Sequence, residues 1–170
     1  GPNGAGKTTT IKMFCGLLRP STGTARIAGL DVQEQPLKAK AALGYVPDNP
    51  FLYEKLTGRE YLRFIADLYS VNSGRTKDRI EDLLHLFELS EKRDELIEGY
   101  SRGMRQKIAM AGALIHEPRA LFLDEPTVGL DPKSARLMKN ILRGLCERGV
   151  AIFISTHILE EVDAVCTRAV

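Results

Sequence analysis

The spacing of apolar residues predicts helices near the start and in the middle of the chain. From Lys7 to Leu18 they recur at three- and four-residue steps, which predicts a helix ended by the Arg-Pro pair that follows. Thr57 and Glu60 have the spacing of a capping box, so a second helix is expected to begin there. The helical pattern continues, and residues 51–117 are therefore predicted to form a helical block.

Short apolar runs predict the strands. They cover Thr24–Ala28, Leu43–Val46, Ala120–Leu123 and Val150–Ile154, with a helix over Pro132–Glu147 between the last two. A strand, a helix and a strand in succession predict a parallel sheet. We therefore expect a single α/β domain over residues 1–170, in which 1–50 and 118–170 form the α/β core and 51–117 is an inserted helical subdomain.

Composition and charge exclude several classes of protein. With 170 residues, 44% of them apolar, the chain can bury the core of one domain. Its 24 basic and 22 acidic residues leave a net charge of +2, so no strong field favours nucleic acid as a partner. The longest apolar run, residues 108–115, is far shorter than the roughly 20 residues of a membrane-spanning helix. Three cysteines without paired spacing favour free thiols in a reducing compartment.

The first eight residues, Gly1–Thr8, match the phosphate-loop pattern of a glycine, four residues and then Gly-Lys-Thr. In such a loop, backbone N–H groups converge on phosphate oxygens at the start of a helix. The residues that would supply this cradle are Asn3, Gly4, Ala5 and Gly6. Lys7 would neutralise the β- and γ-phosphates of a nucleotide, and Thr8 would ligate Mg²⁺. Because a loop of this kind ordinarily follows a strand, we expect the sequence to be a fragment.

Two carboxylates end an apolar strand further along the chain. Asp124 suits the coordination shell of Mg²⁺, and Glu125 would accept a proton from the attacking water. The alternative is an acidic strand end that is solvated or paired with a lysine. His157 follows another predicted strand, where it would hydrogen-bond a γ-phosphate oxygen; a lone histidine is otherwise more often structural.

The segment from Tyr100 to Gln106 begins another predicted helix. Its first turn offers a hydroxyl from Ser101, a glycine at Gly103 and unpaired backbone N–H groups, which are the components of an anion site. Taken alone, the segment is better explained as an ordinary capped helix.

Together these segments resemble, in order and spacing, the motifs of ABC ATPases. The matching segments are Gly1–Thr8, Ser101–Arg105, Asp124–Glu125, Gly129–Pro132 and His157, so the resemblance covers essentially the whole chain. In the family signature, usually Leu-Ser-Gly-Gly-Gln, Ser101 and Gly103 match, whereas Tyr100, Arg102 and Met104 differ. The fold that the resemblance implies is a P-loop NTPase with a parallel sheet core and an inserted helical subdomain.

The resemblance implies a mechanism in which two subunits face each other head to tail. ATP would lie between Gly1–Thr9 of one subunit and Ser101–Gly103 of the other, and hydrolysis at Glu125 would release the pair. Asp131 resembles the residue that contacts the opposite subunit, and His157 resembles the family's switch histidine. The implied cofactors are ATP and Mg²⁺.

One position departs from the family pattern. The family has a Pro-Gln pair after the strand that corresponds to Leu43–Val46, whereas this chain has Pro47 and Asp48. An aspartate is a hard oxygen ligand, and it would approach Mg²⁺ directly or through water. Asp48 is therefore predicted to be part of the metal site.

The separation between Lys7 and Ser101 leaves room for a helical subdomain but not for the long coiled coils of chromosomal ABC ATPases. Residues 50–62 look like the corresponding region of bacterial exporters of drugs, antibiotics or lipids. We therefore expect the cytoplasmic motor subunit of a transporter, peripheral at the inner face of the membrane, with a second ABC ATPase subunit and an integral membrane permease as partners.

A nucleotide-gated interaction module and a translation-associated ABC protein remain alternatives: Asp48 favours slow hydrolysis, whereas Glu125 and His157 favour an enzyme.

Overall fold

The computed structural model describes residues 6–157, which fall into two compact units. An α/β unit contains residues 6–48, 118–128 and 135–157, and a helical unit contains residues 49–117 and 129–134. In chain order the elements are α1 (Lys7–Phe14), β1 (Arg26–Ile27), β2 (Leu30–Asp31), α2 (Pro36–Ala41), β3 (Leu43–Val46), α3 (Gly58–Leu68), α4 (Ser73–Leu86), α5 (Arg102–Leu114), β4 (Ala120–Asp124), α6 (Pro132–Glu147) and β5 (Ala151–Ser155). Two short 3₁₀ turns, Ser90–Lys92 and Ile97–Gly99, lie between α4 and α5.

The α/β unit contains the predicted parallel sheet. Its strand order is β3-β4-β5, and both strand pairs are parallel. Val46 pairs with Leu123, and Asp124 pairs with Ser155, so the carboxyl ends of all three strands meet at one edge. Open α/β sheets bind ligands at this edge.

The core of the α/β unit lies between α1, α2 and the sheet. Its buried members include Ile11, Val32, Leu43 and Phe122. Full burial of one such side chain contributes about 1.5–3 kcal/mol to folding, so this cluster fixes α1, which begins where the predicted phosphate loop ends, against β4. Cys15 belongs to the same cluster, and burial raises the pKa of its thiol to about 12.

Two predicted elements differ from the structure by more than one residue at an end. The first helix ends at Phe14, four residues before Leu18, because Gly16 adopts a φ of 65° and the N–H of Leu17 bonds back to the carbonyl of Lys12. The expected strand over Thr24–Ala28 is only the two-residue β1, which pairs with β2 in an antiparallel hairpin outside the parallel sheet.

The helical unit packs α3, α4 and α5 around a shared core. Its fully buried side chains include Leu62, Leu84, Ile97, Ile108 and Met110. The capping box that begins α3 is present as predicted: the N–H of Glu60 bonds to Thr57 Oγ1 at 3.2 Å, and the Thr57 N–H bonds to the Glu60 carboxylate at 2.9 Å. Residues 129–134, which come after β4 in sequence, also belong to this unit.

Among the helices within residues 6–157, none is both long and apolar enough to cross a membrane.

Candidate functional site

The end of the predicted phosphate loop lies at the amino terminus of α1. Gly6 adopts φ 80° as the residue that precedes this helix, and its carbonyl accepts the N–H of Thr10 at 2.8 Å. This left-handed conformation favours glycine and turns the chain into the helix, whose first turn is where phosphate loops bind an anion. Lys7 is the first residue of α1. The predicted cradle residues Asn3, Gly4 and Ala5 lie outside the described residues.

Thr8 and Asp124, the two predicted metal ligands of the core, are brought into contact. Thr8 Oγ1 donates a hydrogen bond of 2.8 Å to Asp124 Oδ2, across 116 positions of sequence. Asp124 is the last residue of β4 and is buried, with 5% of its surface exposed. A hydroxyl and a carboxylate are hard oxygen donors, so this pair fits Mg²⁺, which takes few protein ligands and keeps several waters. Within residues 6–157, no three His, Cys, Asp or Glu side chains form a group that would hold a metal by themselves.

Glu125 follows Asp124 in a strained backbone conformation. Its φ is 51°, a region that costs a residue other than glycine about 1–3 kcal/mol, and its N–H is fixed by a 2.8 Å bond to the Ser155 carbonyl on the neighbouring strand. The side chain is 17% exposed. Its buried Oε2 has no hydrogen-bond partner in the part of the chain that the structure describes. A buried carboxylate oxygen without a donor is ready to accept a proton or a water.

His157 lies beside the other oxygen of Glu125. Its Nδ1 is 2.9 Å from Glu125 Oε1, and its side chain is 57% exposed. When Nδ1 donates to the carboxylate, Nε2 of the neutral ring is left as an acceptor, and protonation turns it into a donor. The imidazole thus orients the carboxylate and keeps its second nitrogen for another group.

Asp48 is held near the same edge of the sheet. It lies two residues after β3, which pairs with β4 through Val46 and Leu123. Since Val46 lies opposite Leu123, Asp48 follows the same sheet edge that Asp124 reaches at the end of β4. Its side chain is partly buried.

Ser155 is a residue of the site that was not predicted from the sequence. This residue ends β5 opposite Asp124, is 3% exposed, and supplies the carbonyl that fixes the Glu125 backbone. Its buried Oγ makes no hydrogen bond to any residue from 6 to 157. The sequence signal that could have identified Ser155 is its position: it places a hydroxyl at the end of an apolar strand, two residues before His157.

Ser101, Gly103 and Asp131 belong to the helical unit. Ser101 precedes α5 and caps it, since its Oγ accepts the N–H of Met104 at 3.3 Å. Asp131 has the same role for α6, because its Oδ1 accepts the N–H of Ser134 at 3.0 Å. Hydrogen bonds from Ser134 lower the pKa of the Asp131 carboxyl. Both residues are therefore helix caps, and a role at a nucleotide stays a prediction.

Comparison with known proteins decides the family. Residues 1–128 match the family model described as "ABC transporter". The chain belongs to the ABC transporter family. The resemblance to ABC ATPases and the predicted fold, a P-loop α/β core with an inserted helical subdomain, are confirmed by this match and by the solved structures described below.

Named relatives of this ABC family chain are ATP-binding proteins. It is 40% identical to the ABC transporter ATP-binding protein NatA of Bacillus subtilis, over 98% of this chain and 68% of the relative. It is 39% identical to the daunorubicin/doxorubicin resistance ATP-binding protein DrrA of Streptomyces peucetius, over 99% of this chain and 51% of the relative. A similar protein of Nostoc, an uncharacterized ABC transporter ATP-binding protein, is 42% identical, and the chain spans 50% of its length.

Solved structures of ABC proteins share the fold. A structure of the ATP-binding subunit of an ABC transporter superposes with a TM-score of 0.90 at 35% identity, over 98% of this chain and 69% of that one. The structure of cbiO1 from Clostridium perfringens, which is part of the ABC transporter complex cbiONQ, gives a TM-score of 0.83 at 28% identity, over 98% of this chain and 68% of that one.

Proposed function

We propose that the protein binds and hydrolyses ATP to drive transport across a membrane, as the cytoplasmic motor subunit of an ABC transporter at the inner face of the cell membrane. The observation that carries this proposal is the arrangement at the sheet edge. There the Thr8–Asp124 hydrogen bond stands beside a Glu125 carboxylate that is oriented by His157 and keeps one buried oxygen unpaired. This arrangement suits hydrolysis better than binding alone, since nucleotide binding does not require a proton acceptor.

Four residues would hold the nucleotide's phosphates and metal within one subunit. Lys7, at the start of α1, would neutralise the β- and γ-phosphates. Thr8 and Asp124 would hold Mg²⁺, with Asp48 as a further oxygen donor at the same edge. Held there, Mg²⁺ would supply positive charge that offsets the negative charge developing on the phosphates during the reaction.

Glu125 would accept the proton of the attacking water. Its Oε2 is the oxygen available for this role, because Oε1 lies against His157 Nδ1. His157 would hold that carboxylate in place through Nδ1 and, when its ring is protonated, donate a hydrogen bond from Nε2 to a γ-phosphate oxygen. The bond between the Glu125 N–H and the Ser155 carbonyl keeps the carboxylate at the sheet edge before any ligand arrives.

The second half of each site would come from another subunit. Ser101 and Gly103 at the start of α5 would reach the γ-phosphate that is bound by residues 3–9 of the opposite subunit. Asp131 would contact that subunit near its catalytic centre. This predicts a head-to-tail dimer that closes on ATP and opens after hydrolysis, with two nucleotides buried between the subunits.

A groove on the helical unit would receive the membrane permease. It has a volume of about 780 Å³, and its lining includes Phe51, Tyr53 and Phe64. Phe51 is 88% exposed, and the rings meet edge to face, with centroids 6.3 Å apart for Phe51–Tyr53 and 5.0 Å apart for Tyr53–Phe64. An exposed aromatic wall of this kind fits a short cytoplasmic helix with an apolar face. The similarity to cbiO1, which is part of a transporter complex, supports a partner of this class.

One residue favours a second candidate function. Asp48 puts a negative charge where the family pattern has a glutamine, after a strand that ends at the same sheet edge as the strand that Asp124 ends. An extra negative charge would oppose the negative charge that develops on the phosphates during the reaction, so ATP would bind and close the dimer while hydrolysis is slow, as in a nucleotide-gated interaction module.

ATP-dependent dimerisation of the full-length protein distinguishes the motor subunit from the nucleotide-gated module. In the Glu125→Gln variant we expect ATP and Mg²⁺ to produce a stable dimer in light scattering, because binding is retained and release is blocked. The unsubstituted protein should dimerise only transiently, and Asp48→Gln should report how the extra carboxylate alters turnover. A persistent ATP dimer of the unsubstituted protein, with no difference in Glu125→Gln, would support the gated module instead.

A further inference from the structure

Glu88 occupies a position that ordinarily belongs to glycine. It is the second residue after α4, with φ 56°, and the chain reversal there has the hydrogen bonds of a Schellman motif: Glu88 N–H to the His85 carbonyl at 3.0 Å and Leu89 N–H to the Leu84 carbonyl at 2.8 Å. A side chain in this conformation is strained relative to glycine.

The Glu88 carboxylate joins two lysines from different segments of the helical unit. Its Oε2 is 3.5 Å from Nζ of Lys107 on α5 and 3.2 Å from Nζ of Lys133, the second residue of α6. The Lys107 side chain is 9% exposed, so the loss of its carboxylate would leave a buried cation without this partner. The hydrogen bond from Lys133 is the main reason that the pKa of Glu88 is lowered.

The other end of the same segment is held by the start of α5. A Cβ atom added at Gly129 would lie 2.7 to 2.8 Å from the guanidinium group of Arg102, so the Arg102 side chain lies directly over the Gly129 backbone. A Cβ atom added at Gly103 would lie 3.6 Å from Leu130 Cδ2, which places Leu130 over Gly103. The segment 129–134 thus contacts the first turn of α5 at one end and Glu88 at the other.

We propose that Glu88 is a positioning residue that, together with Arg102, holds segment 129–134 on α5. The start of α5 around Ser101 and the turn around Asp131 then form one preassembled surface. The consequence for dimerisation rests on the function proposed above, in which both parts of this surface face the opposite subunit. Glu88 itself touches neither nucleotide nor metal, and acts through Lys133 and Lys107.

The test measures amide hydrogen exchange over residues 129–134 in the full-length, nucleotide-free protein. In Glu88→Gln we expect these amides to exchange about fivefold faster, because local opening no longer has to break the two ion pairs. Lys133→Gln should act in the same direction, and because the Lys133 side chain is exposed, this change should leave the rest of the unit folded. Lys133→Arg should restore the slow exchange.

Glu117→Gln is the matched control. Glu117 has φ 55° and pairs with Arg79 at 3.7 Å in the same unit, but its partner lies outside segment 129–134. Equal exchange in Glu88→Gln and Glu117→Gln would overturn the proposal.

A second readout addresses the dimer. In a Glu125→Gln background, Glu88→Gln should raise the ATP concentration for half-maximal dimerisation about fivefold, whereas ATP binding to the monomer stays unchanged. Unchanged dimerisation alongside faster exchange would overturn the link to the opposite subunit. If the background protein does not dimerise on ATP at all, the proposed function fails, and hydrogen exchange still decides whether Glu88 holds the segment.

Discussion

A single methyl group at Gly58 is expected to disturb the residue that precedes Ser101. Gly58 begins α3, and a Cβ atom there would lie 2.4 Å from the hydroxyl oxygen of Tyr100. Tyr100 is 4% exposed, and its hydroxyl donates a 2.7 Å hydrogen bond to the Lys92 carbonyl. In Gly58→Ala the ring must therefore move away, which breaks this bond and shifts the start of the Ser101 turn.

The expected size of the effect follows from three contributions. Overpacking of a buried site costs about 1–3 kcal/mol, and the lost hydrogen bond costs about 1 kcal/mol. Replacing a glycine by alanine also lowers the conformational entropy of the unfolded chain, which stabilises the folded state by roughly 0.5–1 kcal/mol. We therefore expect Gly58→Ala to lower the free energy of unfolding by about 2 kcal/mol.

Urea denaturation of the full-length protein, followed by circular dichroism, measures this change. Gly99→Ala is the matched control, because an added Cβ at Gly99 meets no atom within 4 Å. Tyr100→Phe removes the hydroxyl that causes the clash, so Gly58→Ala combined with Tyr100→Phe should be more stable than Gly58→Ala alone. The reasoning is refuted if Gly58→Ala is as stable as Gly99→Ala, or if Tyr100→Phe brings no recovery.

Two further predictions concern titrating groups. Burial raises the pKa of Cys15 to about 12, so iodoacetamide at pH 8 should modify exposed Cys146 and leave Cys15 unmodified until urea unfolds the protein; peptide mass spectrometry would contradict this by finding equal labelling. Hydrogen bonds from Thr57 lower the pKa of Glu60, so the capping box should stabilise the fold above the ordinary carboxyl pKa and lose this contribution as the pH falls through the lowered value. Glu60→Gln should remove that part of the acid dependence in urea titrations between pH 3 and pH 7, and an unchanged pH profile would count against it.

Elements with local signals were predictable from sequence. The strand Leu43–Val46 and the helix Pro132–Glu147 have the predicted bounds, because apolar runs, the proline at a helix start and turn residues lie within the segments themselves. The end of α1 was placed four residues too late, since the left-handed conformation of Gly16 outweighed a periodicity that continues to Leu18. The pairing of β1 with β2 depends on a turn between two-residue strands, which carry almost no periodic signal.

The candidate site, like the fold, could be predicted from the sequence only in part. Motif spacing identified Thr8, Asp124, Glu125 and His157 as residues of one site, and the parallel sheet explains why chain segments so far apart meet. Motif spacing did not predict that His157 contacts Glu125, or that Ser155 anchors the Glu125 backbone, because both contacts depend on the register of β4 with β5. The ion pair that holds segment 129–134 could not be predicted from the sequence either, since Glu88 and Lys133 are far apart in sequence and belong to no shared motif.

The measurement that tests the central claim most directly is Mg²⁺-dependent ATP turnover by the full-length protein, with Glu125→Gln and the control Glu117→Gln beside it. The account predicts that Glu125→Gln lowers turnover by a factor of about 100 or more, because the water loses its proton acceptor, while Glu117→Gln hydrolyses ATP like the unsubstituted protein. Turnover that survives in Glu125→Gln at the level of Glu117→Gln would contradict the assignment of the catalytic centre.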